Sequence, residues 1–252
     1  MNIDYPTNNV EQLKSLWKEA FGDGDEFLDM FFEKVYSPQK CRAVYEDGQT
    51  ASALYWFDAE YQNKKLAYIY AVATLKKFRG KGICQALMTD THKLLKESGY
   101  DGTLLVPGSE SLFEFYGKMG YETTCRINKF TAFASDEKVE IQKISKEEFA
   151  HLRKMYLPAG GVIQENENIT FLSELYGLYA GEGFVMAANV KDGIMHCAEF
   201  LGNEKLCPKV LKSLGCSKGY FRTPNGSIPF AMYLPFNREN MCPPNYFGLA
   251  FD

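Results

Sequence analysis

The sequence predicts an α/β protein, a mixed and mostly antiparallel sheet flanked by helices. Three observations carry that prediction. Residues 66–74 are an almost unbroken apolar run, as a strand buried on both faces requires. A turn rich in glycine and basic residues leads from it into a helical apolar pattern over 83–96. Before it, residues 51–58 alternate in character with the period of a strand, and residues 10–35 carry two amphipathic helical patterns.

Taken in order, residues 3–5 read as a short first strand. Asn8 with Glu11 has the spacing of a capping box. Val10, Leu13, Trp17, Ala20 and Phe21 then recur at helical spacing, and Gly22-Asp23-Gly24 stops that helix. Phe27, Leu28, Phe31, Phe32 and Val35 form the apolar face of a second helix ending before Pro38, a face expected to be core. Asp23, Asp25, Glu26 and Asp29 read as a solvated acidic face favoured near a helix N-terminus. Residues 41–45 are a strand, Glu46-Asp47-Gly48-Gln49 a hairpin turn, and residues 51–58 the returning strand. After the 83–96 helix and its stop at Gly99 come a short buried strand over 103–106 and a helix capped by Ser109 that ends at Gly120. Residues 121–133 read as a further strand.

The turn Arg79-Gly80-Lys81-Gly82-Ile83-Cys84 is the chemical feature of this half. The first N–H groups of a helix have no partner within it, and with the helix dipole they favour an anion, most naturally a phosphate. Gly80 and Gly82 tolerate positive φ and let a ligand approach the backbone. Arg79 and Lys81 add positive charge. The turn is neither a Walker loop nor a dinucleotide fingerprint, because neither glycine spacing is present.

These residues resemble the Arg/Gln-x-x-Gly-x-Gly/Ala pyrophosphate loop of the GNAT acetyltransferase superfamily. Val72-Ala73-Thr74 stand where that family's fourth strand lines the pantetheine arm of coenzyme A. The segment Phe113-Glu114-Phe115-Tyr116-Gly117-Lys118-Met119-Gly120-Tyr121 is similar to the family's Phe-Tyr-x-Lys-x-Gly-Phe segment. The resemblance covers the first half of the chain, with Cys84 where the family prefers Gly or Ala. It implies a sheet whose fourth and fifth strands splay apart to admit acetyl-coenzyme A. It implies that Val72, Ala73, Thr74, Arg79, Gly80, Lys81, Gly82, Ile83, Cys84 and Gln85 contact the coenzyme. It also implies that Tyr116 gives a proton to the departing thiolate, which a phenol with an ordinary pKa near ~10 is suited to do. The activity implied is N-acetylation of a primary amine, on a small molecule or a peptide. The alternative is an acyl-coenzyme-A sensor or regulatory module without catalysis. No general base stands out; Asp58 and Glu60 read as surface carboxylates.

Ser135-Asp136-Glu137-Lys138 reads as a linker, after which the pattern starts again. Residues 141–144 are expected as a strand, a helix capped by Ser145 runs to Tyr156, and another helix spans 170–179. Strands follow over 184–190 and 194–201 across the turn Lys191-Asp192-Gly193. A helix over 206–214, strands at 220–222 and 228–234, and a last strand over 247–251 complete the chain. No basic glycine loop precedes the 206–214 helix. This reads as a domain of residues 1–134 followed by a degenerate second lobe of the same type, residues 139–252. Tandem arrangements of this kind occur in N-myristoyltransferase and the enhanced-intracellular-survival acetyltransferases, where the terminal carboxylate serves as general base; by that analogy Asp252 is a candidate for the role.

Composition bounds the partners. The chain of 252 residues has 46% apolar and 24% charged residues, which suits a globular protein. A net charge of −4 carries no nucleic-acid signature. No apolar run reaches the ~18 residues of a membrane span, and the N-terminus lacks the pattern of a signal peptide, so a cytoplasmic location is expected. The seven scattered cysteines include no Cys-x-x-Cys and are expected to be reduced. His92, His151 and His196 are far apart in sequence, and no metal site is expected.

Overall fold

The computed structural model describes residues 1–6, 9–237 and 242–251. Asn8, half of the expected capping box, and Asp252, the candidate base, lie outside the described residues. The chain divides into two compact units. The first comprises Met1–Leu105, Glu114–Tyr121 and Leu234–Met241; the second comprises Val106–Phe113, Glu122–Tyr233 and Cys242–Asp252.

In the first unit, β1 (Asn2–Asp4), β2 (Cys41–Glu46), β3 (Gln49–Tyr61) and β4 (Lys64–Thr74) are neighbours in chain order and antiparallel, and β5 (Gly102–Leu105) pairs parallel with β4. Helices α1 (Val10–Phe21) and α2 (Asp25–Lys34) pack on one face and α3 (Ile83–Glu97) on the other. Cys41 is opposite Tyr55 and Arg42 opposite Leu54, so Tyr55 and Arg42 point to different faces. Trp17 of α1 lies 5.2 Å from Tyr55 between ring centroids, whereas Arg42 donates to Asp90 of α3 at 2.9 Å. Leu13, Trp17, Leu28 and Phe31 are buried, as the helical periodicity required, and so is Leu16, whereas Phe21, expected on the same face, is 48% exposed. Burying each such side chain contributes about 1.5–3 kcal/mol. The acidic residues beside them are engaged: Trp17 Nε1 donates to Asp23, and Lys14 and Lys18 pair with Asp29 and Asp25.

Strand β3 stands where its alternation placed it and is buried along most of its length. Both faces are covered, and Ser52, fully buried, satisfies its hydroxyl on the Ala73 carbonyl at 2.6 Å. Strand β4 departs from its expected burial on both faces. Leu66 to Ile69 are buried, but Tyr70, Ala71 and Val72 are half-exposed. The register slips between Ala53↔Ala73 and Tyr55↔Tyr70, which inserts one extra β4 residue, and Ala71 takes φ 48°. This is a β-bulge.

In the second unit the order of elements is β6 (Glu122–Phe133), β7 (Gln142–Lys143), α5 (Lys146–Tyr156), α6 (Glu167–Leu175), β8 (Gly177–Gly181), β9 (Phe184–Lys191), β10 (Ile194–Gly202), α7 (Cys207–Ser213) and β11 (Lys218–Pro235). Spatially, β7, β8, β9, β10, β11 and β6 are successive neighbours; β10 and β11 are parallel and the other pairs antiparallel. Ser145 caps α5 as expected, accepting from Glu148 N at 3.1 Å. The ladder of β10 slips between Cys197 and Glu199, and its pairing with β11 ends at Cys197↔Phe221.

Three expectations are corrected here. The helix expected over 170–179 is α6 followed by strand β8; Leu178 and Ala180 are buried around half-exposed Tyr179, a period of two that the glycines at 177 and 181 obscure. The strands expected at 220–222 and 228–234 are one strand, β11, with residues 224–227 bulged out between Thr223 and Ile228. A Cβ on Gly226 would meet Ile127 O at 1.9 Å, so glycine is required for close approach to β6, and Pro-Asn-Gly-Ser serves the bulge as it would serve a turn. The last stretch is not a strand. Tyr246 makes one isolated bridge to Gly161, and beyond it the side chain of Gln164 takes the place of a partner strand, accepting from Leu249 N at 3.1 Å and donating to Leu249 O at 2.7 Å. Beside it Arg153 and Glu199 form a buried ion pair, Nε to Oε2 at 2.7 Å.

Candidate active site

The site in the first unit begins at the β4 bulge. Pairing between β4 and β5 ends at Ile69↔Leu105, while β4 continues to Thr74. The two strands therefore part where Tyr70 to Thr74 begin, leaving backbone of β4 without a ladder partner on that side. Val72 is half-exposed there. The Ala73 carbonyl accepts from Ser52 Oγ, whose oxygen also lies 2.8 Å from Thr74 Oγ1.

The glycine turn stands at the end of that strand. Gly80 and Gly82 have φ 74° and 76°, and a Cβ at either position would meet nothing within 4 Å. Glycine is therefore required by conformation, and the space beside the turn is open. Gly82 is the N-cap of α3 with no side-chain cap, and the first helical bond is Ala86 N to Gly82 O at 2.9 Å. The N–H groups ahead of Ala86 thus face outward at an uncapped helix start. Arg79 does not project freely. Its Nε donates to Thr74 O at 2.9 Å and ties the turn back to β4. Lys81 is exposed, with Nζ 5.2 Å from the centre of the Phe78 ring. Ile83 is buried as the first apolar contact of α3, and Gln85 is exposed. Cys84 is half-buried; burial pushes its thiol up to about 11, against a hydrogen bond with the Thr74 side chain.

Tyr116 lies in α4 (Glu110–Gly117), one turn shorter than expected. It is buried, its ring 5.2 Å from Phe115 and 5.9 Å from Tyr121. Burial holds its phenol well above the ordinary range, so Tyr116 is a neutral donor at physiological pH. Its neighbour Tyr121 is fixed through its hydroxyl, 2.8 Å from His92 Nε2 and 2.7 Å from Thr103 Oγ1. Sequence reasoning did not find this anchor, because His92, Thr103 and Tyr121 come from α3, β5 and the turn after α4. Burial lowers His92 to about 4, leaving a neutral imidazole.

Asp58 is not poised as a base. Burial pushes its carboxyl up, but hydrogen bonds from Tyr100 and Lys40 outweigh that and keep it ionised. Among the described residues, no group of three or more His, Cys, Asp or Glu side chains is arranged to hold a metal ion, and no helix is long and apolar enough to cross a membrane.

The site thus combines a bulged, splayed strand pair of a mixed sheet with an uncapped glycine-rich helix start. The family described as "Acetyltransferase (GNAT) domain" matches residues 4–124. That match covers just under half of the chain, and over it the chain is similar to the GNAT acetyltransferase domain. Solved structures share the fold at low identity. A GCN5-related N-acetyltransferase from Anabaena variabilis matches with TM-score 0.75 and 13% identity over 94% of this chain and 73% of that one. One from Kribbella flavida matches with TM-score 0.69 and 14% identity over 93% and 71%. One from Sphaerobacter thermophilus matches with TM-score 0.55 and 11% identity over 93% and 95%. No curated protein matches in sequence.

Proposed function

We propose that the protein is an N-acetyltransferase that moves the acetyl group of acetyl-coenzyme A to a primary amine on a small molecule or a peptide. The observation that carries this reading is that Tyr116 packs 5.9 Å from Tyr121, whose hydroxyl bonds His92 of α3, the helix whose uncapped start stands at the parted end of β4.

The residues fit the coenzyme. The open, uncapped turn from Arg79 to Gln85 offers outward N–H groups to the pyrophosphate, with Lys81 adding charge. The parted backbone of Val72, Ala73 and Thr74 suits an extended amide-bearing arm, which pairs as an added strand would. The amine attacks the thioester carbonyl carbon, the C–S bond breaks, and the sulfur takes the phenolic proton of Tyr116. Burial keeps the Tyr116 phenol protonated before that moment and also makes it a weaker acid, so the transfer draws on the basicity of the departing thiolate. The proton lost by the amine passes to a base that is not among the assigned residues.

Residues 1–134 supply this chemistry. Residues 139–252 are read as a second lobe of the same descent. The helix, helix, hairpin, strand, helix, strand order from α5 to β11 repeats that from α1 to β5, down to a slip in the strand preceding the crossover helix. It lacks a glycine turn before α7, so it takes no coenzyme of its own. Release of free thiol from acetyl-coenzyme A, followed across a panel of polyamines, amino acids, aminoglycosides and peptide N-termini, tests the function. Amine-dependent release is expected. Tight binding of acetyl-coenzyme A with no release on any amine would favour the sensor reading instead.

A further inference from the structure

Ser52 of β3 is fully buried, and its hydroxyl belongs to a chain of polar side chains that runs from α3 to the end of β4. Ser52 Oγ lies 2.6 Å from Ala73 O and 2.8 Å from Thr74 Oγ1. A carbonyl has no proton to give and a serine has one, so Ser52 donates to Ala73 O and accepts from Thr74 Oγ1. Cys84, the second residue of α3, completes the chain through its hydrogen bond with the Thr74 side chain. The backbone carbonyl of Thr74 is held as well, accepting from Arg79 Nε at 2.9 Å. Thr74 is therefore tied at once to β3, to the glycine turn and to α3.

Strand geometry says where the N–H of Thr74 points. Leu75 N donates to Ala51 O at 3.0 Å, toward β3, and alternation along the ladder turns Thr74 N–H to the other edge of β4. The peptide between Ala73 and Thr74 is trans, so its carbonyl and its N–H point opposite ways. Ala73 O is on the Ser52 side, which again puts Thr74 N–H on the edge that β5 leaves at Leu105. The ladder is weakest just before this peptide. Between Ala53↔Ala73 and Tyr55↔Tyr70 one residue of β3 faces two of β4, and Ala71 takes φ 48°. Backbone next to such a bulge has lost regular pairing, and the Ser52 hydroxyl supplies a side-chain clamp there. A hydrogen bond on the carbonyl also polarises the peptide and makes its N–H a stronger donor.

We propose that Ser52 is a positioning residue for the coenzyme, acting through the peptide between Ala73 and Thr74 to aim Thr74 N–H at an amide carbonyl of the pantetheine arm. The inference rests on the coenzyme reading above and deepens it: a serine one strand away holds the donor that grips the arm. The pyrophosphate meets the turn from Arg79 to Gln85, whose shape comes from its own glycines and from Arg79. Ser52 therefore bears on the arm and not on the nucleotide half of the coenzyme.

The test is calorimetric titration of the full chain with coenzyme A and, separately, with 3′-phospho-ADP, which is the coenzyme without its arm. Ser52→Ala is expected to weaken coenzyme A by roughly three- to tenfold and the armless nucleotide by less than about twofold. Retained nucleotide binding also reports that the variant is folded. Thr74→Val keeps the backbone N–H and removes the hydroxyl that supports Ser52, and it is expected to show the same selectivity. The double variant is expected to lose no more than the weaker single variant, because both act through one chain. Binding is read rather than turnover, so a protein that holds the coenzyme but acetylates nothing still gives an answer. Unchanged coenzyme A affinity in Ser52→Ala, equal weakening of both ligands, or additive losses in the double variant would each overturn the proposal. So would wild-type protein that binds coenzyme A no more tightly than the armless nucleotide. Failure of both ligands to bind the wild-type protein would overturn the coenzyme site itself, and this inference with it.

Discussion

Arg79 donates from Nε to the carbonyl of Thr74 at 2.9 Å, so the last residue of β4 and the first of the glycine turn are held together by one side chain. That bond closes the short segment Leu75 to Phe78 and fixes where α3 begins relative to the strand. The Arg79 side chain is thus spent on the loop's geometry at least as much as on its charge. Arg79→Ala is expected to raise KM for acetyl-coenzyme A by roughly three- to tenfold, the loss of one exposed hydrogen bond worth about 1 kcal/mol, with kcat little changed. Steady-state kinetics at saturating amine checks this; an unaltered KM would show that the turn holds its shape unaided.

At Gly82 the backbone has φ 76° with open space around it. A side chain there meets no steric wall but suffers the left-handed conformation, a cost of about 1–2 kcal/mol. Gly82→Val is expected to weaken acetyl-coenzyme A binding by about tenfold or more, and Gly82→Asn, which tolerates that region, by clearly less. Calorimetry on the two variants gives the ranking; equal affinities would place the phosphates elsewhere.

His92 makes the stability of the first unit depend on pH. Its folded pKa, lowered by burial to about 4, lies below the ordinary value of 6.5. The unfolded chain therefore binds the proton first, and stability is full above pH 6.5 and falls as pH drops from about 6.5 to about 4. The loss attributable to His92 is on the order of 2–3 kcal/mol. His92→Gln, still able to bond Tyr121, is expected to lose less stability over that window in urea melts. Parallel curves for the two proteins would mean that His92 does not titrate there.

How much was legible follows from how local each signal is. Helices α1, α2 and α3 and the hairpin β2–β3 stand where periodicity and the Glu46-Asp47-Gly48-Gln49 turn put them, because one stretch of chain carries the whole message. The β4 bulge at Ala71 was not legible, since its cause is a one-residue mismatch with β3 rather than anything in Tyr70-Ala71-Val72. The same holds for Gly226, whose role is set by the backbone of Ile127, and for 247–251, where the Gln164 side chain rather than a strand satisfies the Leu249 backbone. The glycine turn was legible as a helix start. The tie from Arg79 to Thr74 and the anchoring of Tyr121 by His92 and Thr103 join residues distant in the chain or of unremarkable type, and no spacing announces them.

The central claim, that one site joins the α3 start to Tyr116, is tested most directly by comparing Tyr116→Phe with the wild-type protein on the same samples, measuring kcat with the preferred amine and the dissociation constant of acetyl-coenzyme A. The substitution keeps the ring packed between Phe115 and Tyr121 and removes only the proton. The account predicts a fall in kcat of roughly 10²-fold or more with the dissociation constant changed less than about threefold. Wild-type turnover in the variant would contradict it and return Tyr116 to the role of a core residue.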